Sequence, residues 1–75
     1  MEEKIIEIIA KELGVSDGAV NVDTEIGGIS EWDSVHNVQI LGALETEFGI
    51  KFQPEQIMDW ETVGDIIQFI DEVKA

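Results

Sequence analysis

Apolar residues recur every three or four positions along four stretches of the chain, and no stretch alternates apolar with polar at a strand's period of two. The first stretch predicts a helix over about 2–13, with Ile5, Ile9 and Leu13 on one stripe and Ile6, Ile8 and Ala10 beside it. Gly14 supplies its C-terminal stop. The second stretch predicts a helix over about 34–48, ended by Gly49. A short third helix, PEQIMDW, opens on Pro54, whose fixed φ suits the first helical position. A fourth, TVGDIIQFIDEVK, begins at Thr62, with Thr62 and Asp65 spaced as a capping box. Its inward stripe is read as Val63, Ile66, Ile67, Ile70 and Val73.

Between the first and second helices, VSDGAVNVDTEIGGISEWD reads as a long loop, rich in Asp, Asn, Ser and Gly. Loops of this length inside a small domain tend to be functional or well packed, and Val20, Val22, Ile26 and Ile29 are the residues available to pin it. The expected fold is all-α: a small four-helix bundle, three main helices plus one short helix, forming a single domain over 1–75.

Composition narrows the function. A chain of 75 residues buries only about 60% of its unfolded surface, which leaves no room for a deep active-site cleft. It contains no cysteine, no tyrosine and no arginine, and a single histidine, a poor inventory for acid–base or thiolate chemistry. Catalysis by the chain itself is not expected. Seventeen acids against four lysines give a formal net charge of −13, which repels nucleic acid but steers association with basic protein surfaces. No uncharged run is long enough to span a bilayer, and the acidic start does not resemble a secretory signal, so a cytoplasmic monomer without membrane insertion is expected. No metal ligand set is read. The acids from Asp17 onward fail as an EF-hand: the pattern wants acids or Asn at its third and fifth positions and glycine at its sixth, and the chain gives Ala19, Asn21 and Val22 there.

The one chemically provocative position is Ser34, in EWDSVH at the mouth of the second helix. Asp33 and Ser34 suit helix capping and the positive end of the helix dipole, so capping alone is one reading. A self-activated nucleophile is another, but His36 lies two residues on, where helical side chains do not face each other, and WDSVH is no G-x-S-x-G elbow. The third reading is a hydroxyl that another protein modifies.

That reading comes from Asp33-Ser34-Val35, Val38, Leu41, Ala43-Leu44-Glu45, Glu47-Phe48-Gly49 and Thr62-Val63-Gly64-Asp65, taken in order. Together they resemble the acyl carrier protein family, with its D-S-L, L-E-x-E-F-G and T-V-x-D segments, over nearly the whole chain. The resemblance implies that Ser34 is the covalent attachment point for 4′-phosphopantetheine from coenzyme A, installed by a phosphopantetheinyl transferase. It implies a thioester-bound acyl or aminoacyl cargo, and partners such as an acyl-loading ligase, a ketosynthase or acyltransferase-type enzymes. Asp33 becomes a recognition carboxylate as well as a cap. The missing cysteines then cease to matter, because the thiol is imported.

The second helix has two apolar sides. Ile40, Leu41, Leu44 and Phe48 are expected to face inward, while Val35, Val38 and Gly42 lie elsewhere, either packed on the long loop or open to partners. The candidate partner surface is Val35, Val38, Gln39, Gly42, Glu45 and Glu47. Candidates to shelter a cargo are Ile40, Leu44, Ile57, Met58 and Trp60, which a plain core would also account for. Several positions depart from the pattern of members that serve general fatty-acid synthesis. Val35 replaces Leu, His36, Asn37 and Gln39 follow, Thr46 stands where an acid is common, and Trp32 precedes Asp33. The expectation is a dedicated carrier for a specialised pathway, with His36 a solvated surface residue. The rival from another class is an unmodified acidic helical adaptor that binds a partner through Val35 and Val38.

Overall fold

The computed structural model describes residues 2–74; positions 1 and 75 of the expected domain lie outside the described residues. Four α-helices follow in order: α1 (Glu2–Leu13), α2 (Ser34–Phe48), α3 (Pro54–Asp59) and α4 (Val63–Lys74). A single 3₁₀ turn, Asp17–Ala19, interrupts the long loop between α1 and α2. The four expected helices are all present, and no strand occurs among the described residues beyond one antiparallel bridge between Glu25 and Thr62. Gly14 and Gly49 take left-handed φ values of 73° and 64° directly after α1 and α2, the conformation that lets a chain leave a helix cheaply. At α3, Gln53 precedes Pro54, and the Gln53 N–H donates to Gln56 Oε1 at 3.0 Å, closing a capping box.

Backbone hydrogen bonds tie the loop to the start of α4. Ile26 N–H donates to the Glu61 carbonyl at 2.8 Å, Val63 N–H to the Thr24 carbonyl at 2.9 Å, and Gly64 N–H to the Val22 carbonyl at 2.9 Å. Two of the donors that α4 would otherwise leave unpaired at its start are thus capped by loop carbonyls. The Asp65 carboxylate takes two more, from Glu61 N–H at 2.8 Å and Thr62 N–H at 3.1 Å, so the expected Thr62–Asp65 pairing is present in its carboxylate half. Gly64 is needed here for close approach: a Cβ at that position would stand 3.1 Å from the Val22 carbonyl oxygen.

Two of the expected inward residues are corrected. Val22 is exposed, because its contribution is the carbonyl that caps α4 and not its side chain. Val73 is 49% exposed; three residues past Ile70 it falls about 60° short of a full turn, at the edge of the stripe, and it lies in the last turn of α4.

The core gathers Ile5, Ile9, Ala10 and Leu13 of α1, Ile40 and Leu44 of α2, and Val63, Ile66, Ile67 and Ile70 of α4. Val20 and Trp32 of the loop join it, with Ile26 and Ile29 packed against it, so the loop is part of the packing as expected. Ile50 and Phe52 close the side nearest α3. Phe52, Trp60 and Phe69 form an aromatic trio with centroid separations of 5.1, 5.6 and 5.4 Å, in edge-on and tilted arrangements that suit ring quadrupoles. No buried charged or polar side chain occurs among the described residues, and no buried side-chain polar atom lacks a partner. Lys74 Nζ donates to the Phe48 carbonyl at 3.1 Å, a cation on the negative end of α2.

The division between core and edge is testable by urea unfolding at neutral pH. Leu44→Ala, at a fully buried position, is expected to cost about 2–5 kcal/mol, whereas Val73→Ala should stay within ~0.5 kcal/mol of wild type. Comparable losses for the two would show that α4 packs along a different face.

Candidate functional site

The chain enters α2 through three residues with opposite fates. Trp32 is 3% exposed and anchors the loop in the core. Its indole N–H donates to Asn37 Oδ1 at 3.0 Å, bridging loop and helix. Asp33 caps the helix: Oδ1 accepts the His36 backbone N–H at 2.9 Å and lies 2.8 Å from His36 Nδ1. An ionised carboxylate only accepts, so Nδ1 carries the proton in this pair. Ser34 is the first residue of α2 and is exposed. None of these bonds uses its hydroxyl.

His36 keeps part of its surface open to solvent and is in addition paired with Asp33, which the spacing of three residues allows. The His36 backbone N–H, and after it the ring, hold the Asp33 carboxyl below its ordinary value of 3.8.

Beside Ser34 lies an open depression of about 190 Å³, walled by Ile26, Gly27, Trp32, Asp33, Ser34 and Asn37. Of these, the sequence points only to Asp33 and Ser34 as site residues. Ile26 and Gly27 are remote in the chain, and Trp32 and Asn37 stand out there only as departures from a pattern. The signal that could have found Asn37 is the helical spacing of three from Ser34.

The outer side of α2 is exposed and uncharged. Val35 is 63% and Val38 70% exposed, so they do not pack on the loop. Gln39, Gly42 and Thr46 are exposed as well. Steps of three and four residues from Val35 through Gln39 and Gly42 reach Thr46, which belongs to this strip although the sequence reading leaves it out of the partner surface. A Cβ placed on Gly42 would meet nothing within 4 Å, so the small size of this residue serves no contact inside the bundle. The two candidate acids are drawn to the flanks. Glu45 is half-buried and accepts the Phe52 N–H at 2.7 Å; Glu47 lies 4.0 Å from Lys4 of α1.

The cargo candidates do not share one environment. Ile40 and Leu44 are fully buried, Ile57 and Trp60 are half-buried against the core, and Met58 is 83% exposed. Core packing accounts for the first four, and Met58 stands outside it.

The family described as "Phosphopantetheine attachment site" matches residues 3–70, a span that contains this whole constellation. The chain belongs to the acyl carrier protein family. It is similar to the acyl carrier proteins of Rickettsia canadensis (strain McKiel) and Rickettsia rickettsii (strain Iowa), each 31% identical over 72 residues, covering 96% of this chain and 84% of the relative. The acyl carrier protein of Rickettsia massiliae (strain Mtu5) is 29% identical over the same shares. Proteins of this family are non-catalytic carriers that use 4′-phosphopantetheine, and so is this carrier.

The residues present fit that group. An exposed serine opens a long helix whose first turn carries no acid beyond the Asp33 cap, so a phosphodiester there would lie at the positive dipole end, near the backbone N–H groups that Asp33 leaves free. The neighbouring depression leaves room for a bulky substituent. Among the described residues no helix is long and apolar enough to cross a membrane, and no cluster of His, Cys, Asp or Glu could hold a metal ion.

The cap has a pH signature. A carboxyl held below 3.8 in the folded state contributes stability that is fully present above that value and is lost as pH falls through the folded-state value. Asp33→Ala is therefore expected to lower the urea midpoint at neutral pH, with the gap to wild type closing as pH drops below 3.8. A gap that stays constant down to strongly acid pH would show that the carboxylate does not cap α2.

Proposed function

We propose that Ser34 bears the 4′-phosphopantetheine arm and that the chain works as one carrier domain, residues 1–75, for a dedicated pathway in the cytoplasm. The observation that carries this is the exposure of Ser34 at the first position of α2, directly after the capping residue Asp33. In the attachment step, Ser34 Oγ attacks the phosphorus next to pantetheine in coenzyme A. The bond to the adenosine bisphosphate breaks, that half leaves with the electron pair, and the serine proton passes to a base of the transferase. Among the described residues no hydrogen bond joins a base to Ser34 Oγ, and His36 Nδ1 is turned onto Asp33, so the activating groups are assigned to the phosphopantetheinyl transferase. When bound, the arm supplies a thiol on which acyl or aminoacyl groups are held as thioesters for partner enzymes.

Asp33 has a carboxylate oxygen, Oδ2, outside the cap bonds, which suits it to be read by a transferase while Oδ1 holds the helix. Partners dock on Val35, Val38, Gln39, Gly42 and Thr46. That strip is itself neutral on a protein of net charge −13; of the acids beside it, Asp33 caps the first turn, Glu45 accepts the Phe52 N–H and Glu47 lies near Lys4. Enzymes that grip a carrier through basic patches would find little here, which favours a ligase, ketosynthase or acyltransferase of the carrier's own, working by apolar contact. A cargo sheltered in the bundle would have to part Ile40 and Leu44 from Ile57 and Trp60. The carrier is a monomer in this reading.

Intact mass after incubation with coenzyme A and a promiscuous phosphopantetheinyl transferase tests the attachment. Wild type is expected to gain one arm and Ser34→Ala none. A wild type that gains nothing would favour the unmodified adaptor, for which the exposed Val35 and Val38 speak.

The strip is tested by Val38→Asp. Arm transfer should lose about tenfold in kcat/KM, equivalent to ~1.4 kcal/mol, with no fall in melting temperature because the position is exposed. An unchanged kcat/KM would remove Val38 from the transferase footprint.

A further inference from the structure

We propose that the depression beside Ser34 is a docking subsite for the phosphate-proximal half of the pantetheine arm. Ile26 would meet the arm's geminal methyl groups, and the Asn37 side-chain amide would donate to its hydroxyl or first amide carbonyl. This rests on Ser34 bearing the arm. The occupant is argued from geometry: Ser34 is itself one wall of the depression, so the first atoms beyond its phosphate are within reach of the space between Ile26, Gly27 and Asn37.

The polar half of the argument turns on Trp32. An indole N–H can only donate, so Asn37 must present Oδ1 to it, and the 3.0 Å bond settles which way the amide faces. Asn37 Nδ2, with two N–H donors, is therefore turned away from the indole, and no bond among the described residues uses it. Trp32 is buried, which shields this bond from water and holds the amide in place. The carrier thus sets an oriented pair of donors one helical turn from the serine, on the same side of α2.

The apolar half is Ile26, half-buried against the core with part of its surface still open to solvent. The arm places a branched, fully methylated carbon close to its phosphate and a hydroxyl and amide carbonyl just beyond. An apolar wall followed by an N–H donor is the matching order. Docking here would hold the near half of the arm along the loop while the thiol end stays free to reach a partner.

Isotope-filtered NOE spectroscopy on labelled holo carrier with an unlabelled arm tests the subsite, with intact mass run on the same sample. Complete arm addition with NOEs from the arm methyls to Ile26 and Trp32, and a shifted Asn37 side-chain amide resonance, is the expected result. Asn37→Ala should still accept the arm but reduce the ratio of docked to free arm by about twofold to tenfold. If that variant disturbs the Trp32 indole resonance, Ile26→Ala, which leaves the Trp32–Asn37 bond intact, should weaken the same NOEs. Complete arm addition with no NOE to Ile26, Trp32 or Asn37 overturns the subsite and leaves the attachment standing. No arm addition to wild type overturns both.

Discussion

The structure depends on a backbone clasp between the long loop and the start of α4. The carbonyls of Val22 and Thr24 accept N–H groups that the helix leaves orphaned, and the Glu61 carbonyl accepts Ile26 N–H in return. A loop of this length costs entropy to order; burial of Val20 and Trp32 offsets part of it, while Val22 lends its carbonyl and not its side chain. The clasp adds hydrogen bonds that α4 needs in any case. Ordering the loop and capping the helix are one event.

From that clasp the loop has only a short path to α2, and its residues divide sharply along it. Trp32 is driven into the core, Asp33 turns its carboxylate onto the first turn, and Ser34 emerges into solvent. A chain this small has few ways to place a side chain rigidly, because its core is thin. The carrier solves this by anchoring the residue two positions before the serine with the largest side chain available. The exposed hydroxyl is thereby held on a rigid stem, and the exposed, uncharged strip of α2 begins one residue later.

The helices are legible in the sequence because each carries a long apolar stripe at a helical period, and because Gly14, Gly49 and Pro54 mark their ends without reference to anything distant. Ser34 is legible because it lies at a predicted helix start within an ordered set of motifs. What escapes depends on which element sits opposite. Glu45 reads as a surface acid until Phe52 supplies an N–H to it, seven residues on. Trp32 reads as an oddity until the core closes over it, and Met58 reads as core although the short α3 turns it outward. Ile26 and Gly27 reach the serine's surroundings only through the fold of the loop. Val73 shows the limit of the periodic argument itself, since a stripe read in steps of three drifts round the helix.

Position 64 carries a consequence out of proportion to its size. Only a hydrogen atom separates the helix there from the Val22 oxygen, so a methyl group would have to push the loop aside by a few tenths of an ångström. That displacement would fall first on the bond from Gly64 N–H to the Val22 carbonyl and next on the bond from Val63 N–H to the Thr24 carbonyl. The smallest residue in α4 is thus the one whose enlargement would unfasten the loop and uncap the helix together.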